Sequence, residues 1–467
     1  MISWVLVYYA IDRIYYRIAT VSKQYRIIFE CYESSPEAQQ VLSKTIMMAG
    51  SIEKPEDVFN FGLAHEEQVK LVHSCQDALL KEQITLIDSV VESCPNCPDR
   101  KLVKYGNRRS DYHDVFTDHK LTIGRKRCPD CNYEPGSTIK TVLGHSMSAD
   151  LVKLQTELGA NHTYRESEQI FCMFSRSKRY INNHDRIKHT AEKVGGQVGT
   201  LHHVESTVAS SGIAEELIIN VDGGHINTTE AGKRSFEAMT AVIYRPEALV
   251  SNDKGTRNTL TSKHCAASAL DDGHQQMINN TIVAALKQGL SPQTKVTALC
   301  DGADNCWKIV LALTPLCASI THILDWFHLS MKIQNIALPE DLKPKLVRIK
   351  WHLWRGKTDN ALKRLDSLID DCPKIYKQRL EKLKTYIKNN TTKIVDYRER
   401  QNKGLIFTSN LAESTVESLI NQRCKGQQHM RWSRDGLDPL LQLRAAIGSN
   451  DWDKIWKTAV MNAISVQ

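Results

Sequence analysis

The chain has 467 residues, 13 cysteines and a formal net charge of +8 at pH 7. This length allows two to four domains with at least one large core, and the mildly basic balance is by itself weak evidence for an acidic partner. Charges at Asp12, Arg13 and Arg17 interrupt the apolar start before it could cross a bilayer, and the odd number of scattered cysteines argues against a disulfide-bonded secreted scaffold. We therefore expect a cytoplasmic protein without a membrane partner, in which paired cysteines bind metal.

The N-terminal part divides into two predicted segments. Residues 1–54 are interpreted as an uncertain extension, because residues 1–45 match poorly with the rest of the chain. This extension is either loosely packed or the product of an over-long start, with the true start near Met47 or Met48. Residues 55–93 are predicted to be a helical segment because their apolar residues recur at helical spacing.

Two Cys-x-x-Cys pairs, CPNC and CPDC, come after this helical segment and define residues 94–140. The alternating segments between them predict strands, and two such pairs joined by hairpins are typical of a zinc ribbon, although chance cysteines or a redox pair are alternatives. The predicted zinc ligands are Cys94, Cys97, Cys128 and Cys131. Four thiolates close a tetrahedral site, so the predicted zinc is structural rather than catalytic. His113 and His119, between the pairs, are expected on the surface.

Residues 147–197 are predicted to be helical, with a Gly-Ala break after the first helix. Short helices with such a break suit a helix-turn-helix-like DNA-binding region, in which Arg186, Lys188 and His189 would face DNA. An ordinary small helical bundle is the alternative.

Residues 215–335 have the pattern of an α/β core. Three hairpin-like strands, a helix, a strand, a helix and a last strand, SITHILDWFHL, succeed one another in the order of a ribonuclease-H-like fold. The strand 216–222 ends on Asp222, the strand 295–301 ends on Asp301, and glycine comes directly after each acid. We expect these strands side by side and parallel, so that both carboxylates meet at the carboxyl edge of the sheet.

The paired acids predict a metal site. Two carboxylates held close together repel each other unless a cation offsets their charge, and oxygen ligands favour Mg²⁺ or Mn²⁺. Turn capping is the simpler interpretation of either aspartate alone, but the pair favours a two-metal site for phosphodiester chemistry. The late helix TSNLAESTVESLINQR offers a third carboxylate, Glu413 or Glu417, one helical turn apart.

Two further segments complete the predicted organisation. Residues 336–403 are predicted to be a basic helical insertion, in which residues 340–403 hold 18 lysine or arginine residues and 9 acidic ones. This +9 predicts either a solvated helical face or a surface that meets phosphate. Residues 404–450 are predicted to hold the final core helix with the third carboxylate, and then a basic tail.

Several of these segments carry a family resemblance. VDGG, CDGADNCW, LDWFHLSMK and AESTVESLINQRCKGQQHMRWS, with the two cysteine pairs, resemble bacterial insertion-sequence transposases of the DDE class, in the broad group related to Mutator-like elements. The resemblance covers roughly residues 55–450. It implies a zinc ribbon and a helical DNA-binding region ahead of a ribonuclease-H-like catalytic core with a helical insertion.

The resemblance also implies site residues. The catalytic acids that it implies, as ligands of two Mg²⁺ or Mn²⁺ ions, are Asp222, Asp301 and Glu413. The spacing from Glu413 to MRWS is one residue longer than expected, so Glu417 stays open as the third acid. An aspartate and a histidine three residues later match Asp325 and His328. His328 is expected in the catalytic vicinity, either contacting substrate or packing against the strand end.

The predicted function is that of a transposase of a mobile element. It would cut element ends, join them to target DNA and act as a homo-oligomer on DNA at the nucleoid. The predicted DNA contacts are Arg423, Lys425, Arg431 and Trp432. One alternative is a structure-specific nuclease or resolvase of the same fold. Another is a zinc-ribbon DNA-binding protein whose catalytic core has decayed.

Overall fold

The computed structural model describes residues 3–7, 16–20, 23–34, 39–55, 58, 61–204, 212–251, 258–409, 417–425 and 430–465. The chain divides into two compact units. The first combines Met1–Leu154 with Glu168–Asn183, and the second combines Gln155–Ser167 with His184–Gln467. The predicted helical region 147–197 is therefore shared between the two units. No helix among the described residues is long and apolar enough to cross a membrane.

The N-terminal half of the chain is built from hairpins and helices. Its elements are β1 Ser3–Val7, β2 Tyr16–Thr20, β3 Lys23–Ser34, β4 Gln39–Ile52, α1 His65–Ser89, β5 Val103–His113, β6 Asp118–Arg127, α2 Ile139–Leu143, α3 Ala149–Asn161, α4 Tyr164–Phe174 and α5 His184–Val204. The strands pair as three antiparallel hairpins, β1–β2, β3–β4 and β5–β6. Helix α1 covers the last hairpin, because buried Ile84 packs with Leu121 and Ile123 of β6.

The second half holds the main sheet and most of the remaining helices. Its strands are β7 Glu216–Asn227, β8 Ser235–Tyr244, β9 Leu249–Ser251, β10 Asn258–Leu260, β11 His264–Ser268, β12 Lys295–Cys300 and β13 Ser319–Leu324. Its helices are α6 Gln275–Lys287, α7 Asp304–Leu311, α8 Trp326–Gln334, α9 Lys343–Trp354, α10 Thr358–Asp371, α11 Lys374–Asn389, α12 Tyr397–Asn402, a π-helix Glu417–Asn421, α13 Gln422–Cys424, α14 Arg434–Gly448 and α15 Trp452–Ser465. Short 3-10 turns lie at Pro246–Ala248, Thr314–Leu316 and Thr391–Lys393.

Five strands form one mixed sheet in the order β11-β8-β7-β12-β13. Strands β11, β8 and β7 pair antiparallel, whereas β12 is parallel to both β7 and β13. The strands that carry Asp222 and precede Asp301 are thus adjacent and parallel, as expected from the sequence. The chain order of three antiparallel strands, helix, strand, helix and strand is also present, while the ribonuclease-H-like assignment stays a prediction.

Alternating side chains of the sheet face two separate cores. On one face, residues such as Leu217 and Ile219 pack with Met277 of α6 and Trp307 of α7. On the other face, Ile218 belongs to a cluster built largely from the buried residues of α8 to α12. The predicted basic insertion is therefore a helical layer that covers one face of the sheet.

Two strand ends differ from the prediction by more than one residue, whereas β12 ends at Cys300, one residue before the predicted end. Strand β7 does not end at Asp222 but continues to Asn227, because its second half stays paired with β8 after the parallel pairing with β12 has ended. Strand β13 ends at Leu324, and the WFHL that we assigned to it begins helix α8. Asp325 caps that helix by accepting the N–H of His328, which explains why the strand stops there.

Candidate functional site

Two aspartates lie where the parallel strands of the sheet separate. The pairing of β7 with β12 ends at Val221 opposite Cys300, and Asp222 and Asp301 are the next residues. Asp222 lies on the same face of β7 as Ile218, which packs in the cluster that the α8–α12 layer builds. The two carboxylates therefore come to the same edge of the sheet, as the sequence predicted.

A small cleft brings these acids together with two predicted neighbours. Its lining includes Asp222, Asp301, Asp325 and His328, together with the polar side chains of Asn220 and Ser409. The cavity volume is about 10 Å³, room for roughly one water-sized group.

Asp325 is held by hydrogen bonds on both of its oxygens. Its Oδ1 accepts the N–H of Ser409 at 2.7 Å, and its Oδ2 accepts the Ser409 hydroxyl at 2.8 Å. Oδ2 also accepts the backbone N–H of His328 at 3.1 Å and lies 2.7 Å from Nδ1 of that ring. Burial raises the pKa of Asp325, but the bonds from His328 and Ser409 outweigh it and lower the pKa overall. Asp325 is therefore an ionised positioning residue that orients the His328 ring.

The carboxylates of Asp222 and Asp301 accept fewer hydrogen bonds than that of Asp325. Oδ1 of Asp222 accepts the N–H of Gly223 at 2.8 Å, and Oδ1 of Asp301 accepts the N–H of Ala303 at 2.9 Å. Within the described part of the chain, the second oxygen of each carboxylate has no hydrogen-bond donor. Both acids thus keep an oxygen available to a cation, in contrast to Asp325.

The charges of the cleft act on one another. Burial raises the pKa of Asp222, and the carboxylates of Asp301 and Asp325 add to this rise, while the charge of His328 opposes it. Burial lowers the pKa of His328, but its bond to Asp325 and the charges of the other two acids outweigh burial and raise it. The cleft is therefore a site of concentrated negative charge that favours cations.

Two tyrosine side chains of the helical layer donate hydrogen bonds to the backbone at the ends of the strands beside these acids. The Tyr386 hydroxyl donates to the carbonyl of Asp301 at 2.5 Å, and the Tyr397 hydroxyl donates to the carbonyl of Leu324 at 2.8 Å. Gly302 has a φ of +95°, and a Cβ there would lie 2.9 Å from side-chain atoms of Leu324 and Tyr386. Sequence reasoning missed Tyr386 and Ser409, because no motif or spacing marks a residue that meets the site from a distant helix or loop.

The predicted third acid, Glu413, lies outside the described residues. Glu417 is exposed and accepts a hydrogen bond from Asn421 at 2.8 Å. The π-helix that carries it passes close to β7, since a Cβ on Gly224 would lie 3.3 Å from Ile420 Cδ1. Among the described residues, two groups of at least three His, Cys, Asp or Glu side chains have all their ligand atoms within 4.8 Å, and neither includes Asp222 or Asp301.

Two of the predicted DNA contacts lie inside the protein. Trp432 is 7% exposed and donates its Nε1–H to the carbonyl of Cys424 at 3.3 Å. Arg423 is 2% exposed, with its guanidinium 4.7 Å from the Tyr164 ring and 5.1 Å from the Trp432 ring. The prediction of DNA contact is wrong for these two side chains in this structure, because they stack on each other as part of the core. Lys425 and Arg431 are exposed.

The four predicted cysteine ligands form the first of the two ligand groups. Their Sγ atoms all lie within 4.8 Å of one another, with those of Cys94 and Cys131 3.5 Å apart, so the group can hold a structural metal ion such as zinc. The neighbouring Cys131 thiol and burial raise the pKa of Cys97 to about 12, whereas the N–H of Cys131 lowers the pKa of Cys128 to about 7. Thiols this crowded ionise together only beside a cation.

The two histidines between the cysteine pairs are not on the surface as expected. His113 is buried, and its Nδ1 lies 2.6 Å from Oδ1 of Asp118. His119 is 0% exposed, and its Nε2 lies 3.0 Å from Oδ2 of Asp114. The expectation failed because each imidazole has a carboxylate partner that makes its burial possible.

These features define a mixed α/β protein with an acidic cleft at the edge of its sheet and a separate four-cysteine group. Residues 144–456, more than half of the chain, match a family described as "Uncharacterised protein family (UPF0236)". The chain belongs to this family. No curated protein matches it.

Proposed function

We propose that the chain is a DNA transposase of the DDE class, which cuts the ends of a mobile element and joins them to target DNA. The observation that carries the proposal is the pair Asp222 and Asp301. They come directly after the last paired residues of two adjacent parallel strands, line one cleft, and each keep one carboxylate oxygen without a donor among the described residues.

The fold is consistent with this proposal. The strand order and the antiparallel-then-parallel pairing agree with the ribonuclease-H-like core that the sequence resemblance implies. The late segment that the resemblance assigns to the third acid approaches β7 at Gly224, two residues beyond Asp222. The four-cysteine group supports the zinc ribbon that the resemblance implies ahead of the core.

The donor set fits a hard divalent cation. Carboxylate oxygens are the ligands that Mg²⁺ and Mn²⁺ prefer, and Asp222, Asp301 and Glu413 would hold the ions. When bound, such ions polarise the scissile phosphate and activate an attacking water or 3′-hydroxyl. The acids would hold the ions, and the bonds from Tyr386 to Asp301 and from Ser409 to Asp325 keep the strand ends in place.

His328 has a separate role in this proposal. Asp325 holds Nδ1 of its ring, which leaves Nε2 without a hydrogen-bond partner in the described part of the structure. Burial lowers the pKa of His328, but its bond to Asp325, which is not a proposed metal ligand, raises it and favours the protonated ring. It can then donate a hydrogen bond to a phosphate oxygen in the cleft and offset part of the charge that builds up there.

The helical layer would hold the DNA backbone outside the cleft. Its exposed cations include Arg348, Arg379, Lys382 and Lys388, which have no carboxylate partner within 4 Å among the described residues. Such contacts are to phosphates, so they position DNA without reading its sequence.

Cleavage and strand transfer with DNA from the ends of the element test the proposal. Asp222→Asn and Asp301→Asn should each abolish both reactions in Mg²⁺ while the affinity for the DNA stays within about twofold, since the amide keeps the shape but weakens the ligand. Asp304→Asn is the matched control, because Asp304 is exposed on the first turn of α7 only three residues from Asp301. It should cut normally.

Three outcomes would reject parts of this proposal. Normal cutting by the Asp301 variant would remove the active-site assignment. Cutting without any strand-transfer product would favour the nuclease or resolvase alternative. Loss of cutting with Glu417→Gln but not with Glu413→Gln would move the third ligand by one helical turn.

A further inference from the structure

The second group of possible metal ligands lies in the first unit, between helix α1 and strand β6. It consists of His73, Asp77 and His119, whose ligand atoms all lie within 4.8 Å of one another. His73 and Asp77 are four residues apart on α1 and so share one face of the helix, while His119 comes from β6. Neither the zinc ribbon nor the proposed transposase chemistry uses these residues.

One buried nitrogen in this group has no hydrogen bond. His119 is 0% exposed, and its Nδ1 has no hydrogen-bond partner in the described part of the chain. The nearest carboxylate oxygen, Oδ1 of Asp77, is 3.6 Å away. This separation is too long for a hydrogen bond, which spans about 2.7–3.2 Å. It is close to the distance of about 3.4 Å that separates two ligands of one tetrahedral ion with bonds of about 2.0–2.1 Å.

On each histidine ring, one nitrogen already has a polar neighbour that orients the ring. Oδ2 of Asp114 lies 3.0 Å from His119 Nε2, and the Thr117 hydroxyl lies 3.0 Å from His73 Nδ1 and 3.2 Å from His119 Nε2. The two imidazole rings lie nearly parallel, with centroids 4.6 Å apart. Carboxylate and hydroxyl partners of this kind orient metal-binding histidines and leave their other nitrogens for the ion.

The site is built on elements that are packed together independently of any ion. Buried Ile84 of α1 packs with Leu121 and Ile123 of β6, and Asp88 accepts the N–H of Gly124 at 2.9 and 3.1 Å. The three possible ligands lie earlier along the same two elements, which run in the same direction. A rigid frame of this kind presents the ligands without further folding.

We propose that His73, Asp77 and His119 bind a second divalent ion of the zinc class, distinct from the ion of the four cysteines. Two imidazoles and one carboxylate suit Zn²⁺, which takes four ligands. His73 also lines a cavity of about 430 Å³, together with Lys70, Thr117 and Arg176. Three protein ligands leave the fourth position of such an ion to water or a small anion, in contrast to the closed four-cysteine site.

Metal content of the purified full-length chain tests this proposal. Wild-type protein should hold two zinc ions per chain. The double variant His73→Gln/Asp77→Asn should hold one, whereas His113→Gln should keep two. His113 is the matched control because it is a buried histidine on the same hairpin, paired with a carboxylate but absent from both ligand groups.

Cobalt spectroscopy separates the two sites without relying on variants of the cysteines. After replacement of zinc by Co²⁺, wild-type protein should show the intense thiolate charge-transfer band of the cysteine site together with weaker ligand-field bands from the second site. The double variant should keep the charge-transfer band unchanged, which shows that the ribbon is folded, and lose one equivalent of bound cobalt. A single equivalent in wild-type protein, or no loss of bound cobalt in the double variant, would overturn the proposal and leave only a histidine–carboxylate cluster.

Discussion

Arg444 is the side chain whose loss should damage the second unit most clearly. It is buried in α14 and donates to the carbonyl of Leu419 at 2.8 Å, and also to the carbonyls of Ala160 and Ser418. Each hydrogen bond from a charged group contributes about 1.5–3 kcal/mol, and the bonds share one guanidinium, so their sum is not additive. We expect Arg444→Met to lower the free energy of unfolding by about 3–5 kcal/mol.

Urea denaturation followed by tryptophan fluorescence measures this loss. Arg444→Lys should cost less, about 1–3 kcal/mol, because the charge remains but the planar fork that reaches three carbonyls is gone. Arg431→Met is the control on an exposed arginine of the same region and should change stability by less than about 0.5 kcal/mol. Equal losses for the methionine and lysine variants, or a loss below about 1 kcal/mol for methionine, would refute the argument from hydrogen bonds.

Three further outcomes are expected. His328→Gln removes a charge that opposes the raised pKa of Asp222, so that pKa should rise further. Because the ionised acid is the active form, the acidic limb of the pH–cleavage profile should move to higher pH, and an unmoved limb would contradict this. Gly302→Ala should cost more than Gly404→Ala, although both have positive φ, because only the first Cβ meets neighbours. The backbone cost common to both is about 1–2 kcal/mol, and urea denaturation measures the excess. Replacing the four exposed cations Arg348, Arg379, Lys382 and Lys388 by glutamine should flatten the slope of log affinity against log salt by up to about 3–4. The same change at the carboxylate-paired Lys343, Lys345, Lys384 and Lys403 should have a smaller effect.

Local patterns in the sequence anticipated part of the site. The apolar runs before Asp222 and Asp301 predicted two buried strands, because a strand buried on both faces must be apolar throughout, and the order of the elements predicted that these strands are neighbours and parallel. The two Cys-x-x-Cys pairs predicted a ligand group, because short spacing already brings two thiols together. Each single strand and each single cysteine pair is a pattern of residues that are close in the chain.

Specific polar and strand-pairing contacts account for what the sequence did not reveal. Strand β7 runs past Asp222 because β8 still pairs with it, and Trp432 is buried because Arg423 stacks on it. His119 is buried because Asp114 and Thr117 lie beside Nε2 of its ring. Such burial depends on a polar partner supplied by the fold, and composition or periodicity carries no signal of it.

The most direct test of the proposed catalytic site replaces an oxygen ligand by sulfur. A thiolate is a poor ligand for Mg²⁺ and a better one for Mn²⁺. Asp301→Cys should therefore fail to cut element-end DNA in Mg²⁺ and regain cutting in Mn²⁺, while Asp301→Ala stays inactive in both ions. If Asp301→Cys cuts equally well in Mg²⁺ and Mn²⁺, or if Mn²⁺ rescues the alanine variant as well, the carboxylate of Asp301 does not hold the catalytic ion.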